Sequence, residues 1–447
     1  MRFLARFAFV LALAALLPAQ EPAPGVRELS GLVQPSRLSR TVDRLASFGT
    51  RHSLSDQLSD RRGIGAAGRW LGGEFQALTR LPGSRLVAFD DPFRAEPGPL
   101  LPTGADLVNL GVLLPGTDPD RAKEALVLVA HYDSLGRDPK DAAADAPGAV
   151  DNASGVALVL ETAAVLAATT PAVSVYFVAT AGGAQGLLGS ARLARRLKAE
   201  GIEIIGMAAA DCVGNTLAAD GSKSGGAMRL FSDGVPAVET DGQKRVRELL
   251  GTENDGASRE LARYLKRAGD RFVDGLDCLV MLRRDRLGRD GEQTVFTREG
   301  YPGVRVTELI DPFERLGPDL RPGNGRRSGD TPTFFDAGYC ARITRMMVAG
   351  FRQLSYAPGA PQNVGLGGCG TSDAKLWWTL PADPRIVGIV LYRRRADGVQ
   401  WQQTRGIAKC ESQVIPGIGT DTDVFAVATV DTQGNESLPV SPRSIAF

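Results

Sequence analysis

The chain has 447 residues, enough for two or three domains, and its 43% hydrophobic and 23% charged content is that of a globular protein. A formal charge of +1 offers no basic excess for a phosphate backbone, which argues against nucleic-acid binding. Five cysteines are too few for a disulfide framework.

In chain order, Arg2 and Arg6 precede an apolar run over 7–17 that exits through Leu17-Pro18-Ala19. A basic head, a short apolar stretch and a small-residue exit predict a secretory signal peptide over 1–20, hence a secreted, periplasmic or cell-surface protein. The run is short for a bilayer span, and no later stretch is read as one, so no membrane span is expected after signal removal. Losing Arg2 and Arg6 takes the formal charge from +1 to −1. Residues 21–33 read as a loosely ordered lead-in. Leu38, Val42 and Leu45 predict a helix over 35–48 stopped by Gly49, and Trp70, Leu71, Phe75 and Leu78 predict another over 65–78. His52, one of two histidines in the chain, sits in the polar loop between them and reads as a surface or hydrogen-bonding residue.

From residue 84 the pattern becomes strand-like: 85–89, 106–114 and 126–130. A helix over 156–168, a strand over 173–179, a helix over 186–198 and a strand over 202–210 follow. Alternation of this kind predicts a mixed, mostly parallel sheet with helices on both faces. Residues 214–234 read as a long loop, 257–268 as a helix, 285–300 as a polar stretch, 304–309 as a short strand and 331–354 as a closing helix. Arg283, Arg284, Arg286 and Arg289 are interleaved with Asp285 and Asp290, which suits a solvated face. At 356–361 a Pro/Gly/Ala linker begins, and strands expected at 375–380, 387–394, 399–404 and 424–430 predict a small all-β sandwich. The expected organisation is a signal peptide at 1–20, an α/β domain at 21–355 and the sandwich at 356–447. Cys369 and Cys410 form the candidate disulfide; Cys212, Cys278 and Cys340 lie in apolar contexts and read as buried thiols.

The chemistry gathers at the carboxyl ends of the strands, where open α/β sheets place their sites. His131 ends one strand, Asp151 opens the following helix, and Asp211 ends a third strand. One imidazole and two carboxylates suit zinc or a similar divalent ion and leave a position open for water. Asp133, two residues after His131, is placed to hold the imidazole in one tautomer. The plain alternative is that Asp151 or Asn152 simply caps the helix.

The segments HYDS, APGAVDNASG, VYFVATAGGAQGLLGS and YPGVRVTE, taken in order, resemble metallopeptidase family 28, a family of zinc aminopeptidases, over about residues 36–355. The resemblance implies a two-zinc site bridged by Asp151, with His131 and Asp211 on the first ion. It also implies a glutamate pair just before GLLGS, the earlier acting as general base and the later binding the second ion, and a late histidine on that ion. This chain departs there. The pair falls on Gly183 and Ala184, and no histidine follows His131; Arg326 is the rough positional counterpart. General-base catalysis is typically worth ~10²–10⁴-fold. The expectation is therefore a degraded dimetal site holding at most one metal, zinc, in a protein that is non-catalytic or strongly impaired. It would bind a peptide, an amino acid or a protein partner. The alternative is an active one-metal hydrolase with a replacement base, for which Glu308 and Asp311 are candidates because they follow a strand; a third reading is a vestigial, metal-free site.

The C-terminal segment resembles a fibronectin type III domain, through Pro361-Gln362-Asn363-Val364, a tryptophan at 377 or 378, Leu391-Tyr392-Arg393, and the strand over 424–431 followed by Gly434-Asn435. Val424 stands where that family usually carries its corner tyrosine. The resemblance implies a binding or spacing module without catalysis.

Overall fold

A computed structural model describes residues 25–311 and 329–446. The expected signal peptide and Arg326 lie outside the described residues. The chain divides into two compact units, one spanning Ala23–Ala357 and one built on Pro358–Phe447.

In the first unit, helices α1 (Val26–Gly31), α2 (Pro35–Ala46) and α3 (Gly63–Leu78) lead into strands β1 (Val87–Ala95), β2 (Ala105–Leu114) and β3 (Glu124–His131). Then come α4 (Gly155–Leu166), β4 (Ser174–Thr180), α5 (Leu188–Ala199), β5 (Glu203–Ala210) and β6 (Ala227–Ser232). Helices α6 (Asp241–Leu250) and α7 (Ala257–Phe272), strand β7 (Asp277–Met281), α8 (Glu292–Arg298), β8 (Gly303–Glu308) and α9 (Ala337–Tyr356) complete it. The strands form one mixed sheet in the order β1-β2-β4-β3-β5-β8-β6-β7. Its central neighbours β4, β3, β5 and β8 run parallel, and antiparallel pairings to β2 and β6 flank them.

Strands covered on both faces read as continuous apolar runs, and residues 125–131 of β3 are all buried. Alternation still sorts side chains by face. Val127 and Val129 of β3, Val178 of β4, and Met207 and Ala209 of β5 share one core cluster with Leu193 and Leu197 of α5 and Phe296 of α8. The register sets Val129 beside Val178 and Ala209, and Ala209 beside Arg305. Two residues further along, the same face delivers His131, Thr180 and Asp211 to the carboxyl edge. Helices α4 and α9 pack on each other and on β3. The stretch Ala149–Leu166 is apolar and long enough to cross a membrane by length and composition, but 89% of it is buried inside the protein, as befits a core helix.

The α/β expectation and the site-bearing elements agree with this architecture, with local differences. Residues 26–31 of the supposed lead-in are helical, and β6 lies inside the supposed long loop. The polar stretch over 285–300 contains α8. Its periodicity is hidden because Glu292, Gln293, Thr294 and Thr297 are themselves buried and make hydrogen bonds there, where an amphipathic helix would bury apolar groups. Helix α6 and strand β7 have no counterpart in the sequence reading; α6 buries no residue and so lacks the apolar stripe such a reading needs.

The second unit contains β9 (Gln362–Gly367), β10 (Ala374–Thr379), β11 (Gly388–Arg395), β12 (Gln403–Ala408), β13 (Ser412–Ile415), β14 (Asp423–Val430) and β15 (Ser444–Ala446). They make two sheets, β13-β10-β9-β15 and β12-β11-β14. Val364, Leu376 and Trp378 of the first meet Ile389, Leu391, Phe425 and Val427 of the second in a common core. Trp378 is the buried tryptophan, and its Nε1 donates to the Cys410 carbonyl at 2.6 Å. The strand expected over 399–404 begins only at Gln403. Cys369 and Cys410 are free thiols, so the expected disulfide is not formed; Cys212, Cys278 and Cys340 are buried thiols as expected.

Candidate metal centre

Three loops meet at the carboxyl edge of the sheet. His131 ends β3, Asp151 lies in the turn entering α4, and Asp211 follows β5. One ligand atom from each lies within 4.8 Å of the others. His131 Nε2 is 3.4 Å from Asp151 Oδ1 and 3.9 Å from Asp211 Oδ1. The Asp151 side chain is 38% exposed and the other two are nearly buried, so the cluster opens to solvent on the Asp151 side.

The DNASG segment explains how two of these loops come together. Asn152 Nδ2 donates to the Ala210 carbonyl at 2.9 Å, while its Oδ1 accepts from the backbone N–H of Gly155 and Cys212 at 3.1 and 3.2 Å. This one amide fastens the start of α4 to the end of β5, setting Asp151 beside Asp211. A Cβ at Gly155 would lie 2.2 Å from the Ala210 carbonyl oxygen, so only glycine allows that approach. The Asp151–Asn152 peptide is cis. Behind Asp151, the Asp330 carboxylate accepts from the N–H of Val150 at 2.8 Å and of Asp151 at 2.7 Å.

His131 has its far nitrogen fixed. Nδ1 lies 3.2 Å from the Asp133 backbone carbonyl and 3.5 Å from that residue's carboxylate, so Nδ1 carries the proton and Nε2 faces Asp151 and Asp211. The partner is therefore the Asp133 carbonyl more than the expected carboxylate. The Asp133 carboxylate instead accepts from the N–H of Gly183 at 2.8 Å and of Ala184 at 2.9 Å. Burial alone would push the imidazole down, but Asp133, then Asp151 and Asp211, raise it well above its ordinary value. Burial would raise Asp211, yet Arg305, then His131 and Arg286, hold it at about 2.

The other half of the two-metal arrangement that the family resemblance implies finds no side-chain ligand at Gly183 or Ala184. Gly183 packs its backbone directly on the imidazole: a Cβ there would lie 2.3 Å from His131 Cβ and 2.5 Å from Cγ. Neither Gly183 nor Ala184 offers a side-chain donor or a base. Each replacement-base candidate has one carboxylate oxygen engaged elsewhere. Glu308 is buried and its Oε2 accepts from the N–H of Gly214 at 3.0 Å and of Asn215 at 2.6 Å. Asp311 pairs with Arg229 at 2.9 Å. His52 is hydrogen-bonded as expected but buried, with Nε2 on the Pro139 carbonyl at 3.0 Å and Nδ1 accepting from the Leu54 N–H, and it is not one of the clustered ligands. The arginine stretch is largely exposed and internally paired, with Arg284 on Asp290 and Arg286 on Asp285.

The donor set of one imidazole nitrogen and two carboxylate oxygens thus fits one divalent ion, and Gly183 and Ala184 do not fit a second. Three residues that shape the centre escape a sequence reading: Asn152 as a staple, Asp330 as support for Asp151, and Arg305, whose Nη1 lies 2.7 Å from Asp211 Oδ2. Arg305 had a signal, since a charge in the middle of an apolar parallel strand requires a buried partner.

Residues 109–314 match Peptidase family M28. A probable zinc metalloprotease of Leptosphaeria maculans is 32% identical over 427 residues, covering 95% of this chain and 97% of its own. One of Pyricularia oryzae is 32% identical over 435 residues, covering 96% and 86%. Among solved structures, the Legionella pneumophila LapA aminopeptidase shares the fold with a TM-score of 0.53 at 16% identity, covering 75% of this chain and 76% of that one. An aminopeptidase from Aneurinibacillus sp. strain AM-1 gives 0.50 at 12% identity, covering 75% and 97%. With nearly full-length relatives at this identity and the motif residues of DNASG holding the strand ends together, the chain belongs to peptidase family M28.

Proposed function

We propose that this family member is an exported pseudo-peptidase: a one-metal half-site of His131, Asp151 and Asp211 on a peptidase fold, used to bind a peptide, an amino acid or a partner without efficient hydrolysis. Zinc is the ion favoured by the names of the relatives and by the imidazole donor. When bound, the ion supplies Lewis acidity and a fixed point for a carbonyl or carboxylate oxygen. The chain's own part is to keep the Nδ1 proton on the Asp133 side, to hold Asp151 from behind through Asp330, and to leave the Asp151 side open.

The observation that carries this reading is Gly183 against the imidazole. The position that the family resemblance assigns to the base has no side chain, and there is no room to add one. Among the described residues, Glu308 has one oxygen on backbone amides and Asp311 one on Arg229, so neither candidate stands free to take its place.

Metal analysis of the purified protein beside an aminopeptidase assay tests it. One bound equivalent, abolished by Asp151→Ala, with turnover absent or depressed by at least ~10²-fold, is the expected result. Metal-dependent turnover that disappears in His131→Ala would overturn it, and no bound metal would favour the vestigial site. We also read residues 1–20 as a cleaved signal and 356–447 as a fibronectin type III-like binding or spacing module. N-terminal sequencing of the exported protein checks the first of these, and an intact 1–20 would refute it.

A further inference from the structure

One buried cation at the centre has no role in the reading above. Arg305 lies on β8, fully buried, on the same sheet face as His131 and Asp211. Its Nη1 reaches Asp211 Oδ2 at 2.7 Å, and Asp285 is the next carboxylate at 3.9 Å. Asp211 therefore presents its two oxygens differently: Oδ1 faces His131, and Oδ2 is held by the guanidinium. Gly291 closes over this arginine, where a Cβ would come within 3.1 Å of Nη1. The guanidinium is thus enclosed and has no solvent-exposed surface.

We propose that Arg305 is a resident counter-cation of the half-site, a positioning residue that holds Asp211 when no metal is bound and competes electrostatically with a divalent ion when one arrives. The inference rests on the one-metal reading. A permanent positive charge on the outer oxygen of a ligand carboxylate withdraws charge from the inner oxygen and repels the incoming ion across a low-dielectric interior. Arg305 is also the nearest charge partner of the buried Asp211 carboxylate in the metal-free protein, at 2.7 Å against 3.9 Å for His131. The consequence is a site that stays folded when empty and takes up its metal weakly and exchangeably, as suits a binding protein more than a hydrolase that keeps its ion.

The experiment measures zinc affinity by competition with a chromophoric chelator, and thermal melting with and without EDTA, for wild type, Arg305→Met, Arg305→Gln and Arg305→Lys. Changes in the outer shell of metal sites usually shift affinity by roughly 10–100-fold. Here the two neutral variants are expected to bind zinc at least about tenfold tighter and to melt well below wild type in EDTA, with zinc restoring them. Arg305→Lys should behave as wild type in both respects, a rescue that a mere packing role would not give. Unchanged or weaker zinc binding in the neutral variants overturns the proposal while leaving the one-metal reading intact. Zinc binding by the neutral variants alone supports the proposal and removes the one-metal reading for the native chain. If neither wild type nor neutral variants bind zinc, both fail. Should the neutral variants not fold, the wild type decides: melting little changed by EDTA is expected, and collapse on chelation overturns the proposal.

Discussion

The two sides of the metal centre differ in how much of the fold supports them. On one side His131, Asp151 and Asp211 are each held by a second residue: Asp133 on the imidazole, Asp330 behind Asp151, Arg305 on Asp211. Asn152 ties the two carboxylate-bearing loops together. On the other side, Gly183 and Ala184 give only backbone N–H groups, and these serve the first side by donating to Asp133. The loop that the family resemblance assigns to catalysis here supports the residue that orients the histidine. The three candidate ligands are thus held in order by the sheet edge and its supporting residues, without any contribution from side chains at 183 and 184.

The strongest test of that asymmetry is Asp211→Asn. It leaves Arg305 buried beside a neutral amide, and breaking a buried pair from one partner costs about 3–5 kcal/mol. Urea denaturation in the presence of chelator should show this loss with no metal present. Asp151→Asn should abolish metal binding yet cost less stability, since the Asp151 side chain is 38% exposed whereas that of Asp211 is nearly buried against Arg305. Equal stability losses in the two variants would erase the distinction drawn here between a held carboxylate and an open one. Next in size is Gly183→Glu. The new side chain meets His131 Cβ at once, and overpacking of this kind costs typically ~1–3 kcal/mol. It should also lose bound metal by displacing the imidazole and gain no aminopeptidase turnover; an active Gly183→Glu variant would show the base position to be open after all.

Much of this was legible in the residues. The apolar run into His131, the DNASG turn and the strand into Asp211 each end at the carboxyl edge, so sheet topology alone brings them together. The family resemblance then marked Gly183 and Ala184 as departures. What stayed hidden were interactions between distant polar groups. Arg305 finds its nearest carboxylate on Asp211, far from it in sequence, and Glu292 accepts from Thr180 and Ser190, over a hundred residues away, which disguised α8 as a polar loop. Hydrophobic periodicity is blind to helices and strands whose buried faces are polar, and those are the elements packed beneath this site.

Asp330 supplies a smaller, graded effect on the supported side. Burial pushes its carboxyl up to about 7, even though the N–H donors of Asp151 and Val150 pull it down. The ordinary value is 3.8, so between these limits the folded state holds a proton that the unfolded chain has released. The stabilisation is full below the lower value and is lost as pH rises through the upper one. In chelator, urea midpoints of the wild type should therefore fall between about pH 4 and 7 more steeply than those of Asp330→Asn, which keeps the acceptor oxygen and removes the titration. Parallel slopes would mean that Asp330 ionises normally behind Asp151.

Ala184→Glu should have the smallest effect, and it probes the empty side directly. Ala184 is only partly buried, unlike its neighbour Gly183, so a longer side chain has room and stability should stay within ~0.5 kcal/mol of wild type. The substitution returns a carboxylate to the position that the family resemblance assigns to the second ion. Zinc stoichiometry by titration calorimetry should nevertheless remain one equivalent. A second ion needs more than Asp151 and one glutamate, and no histidine follows His131 in the chain. Two equivalents in this variant would mean that other groups complete the second position, and that the empty side is one substitution from being a site. One equivalent would locate the loss in the ligand set as a whole, so that no single reversion restores it.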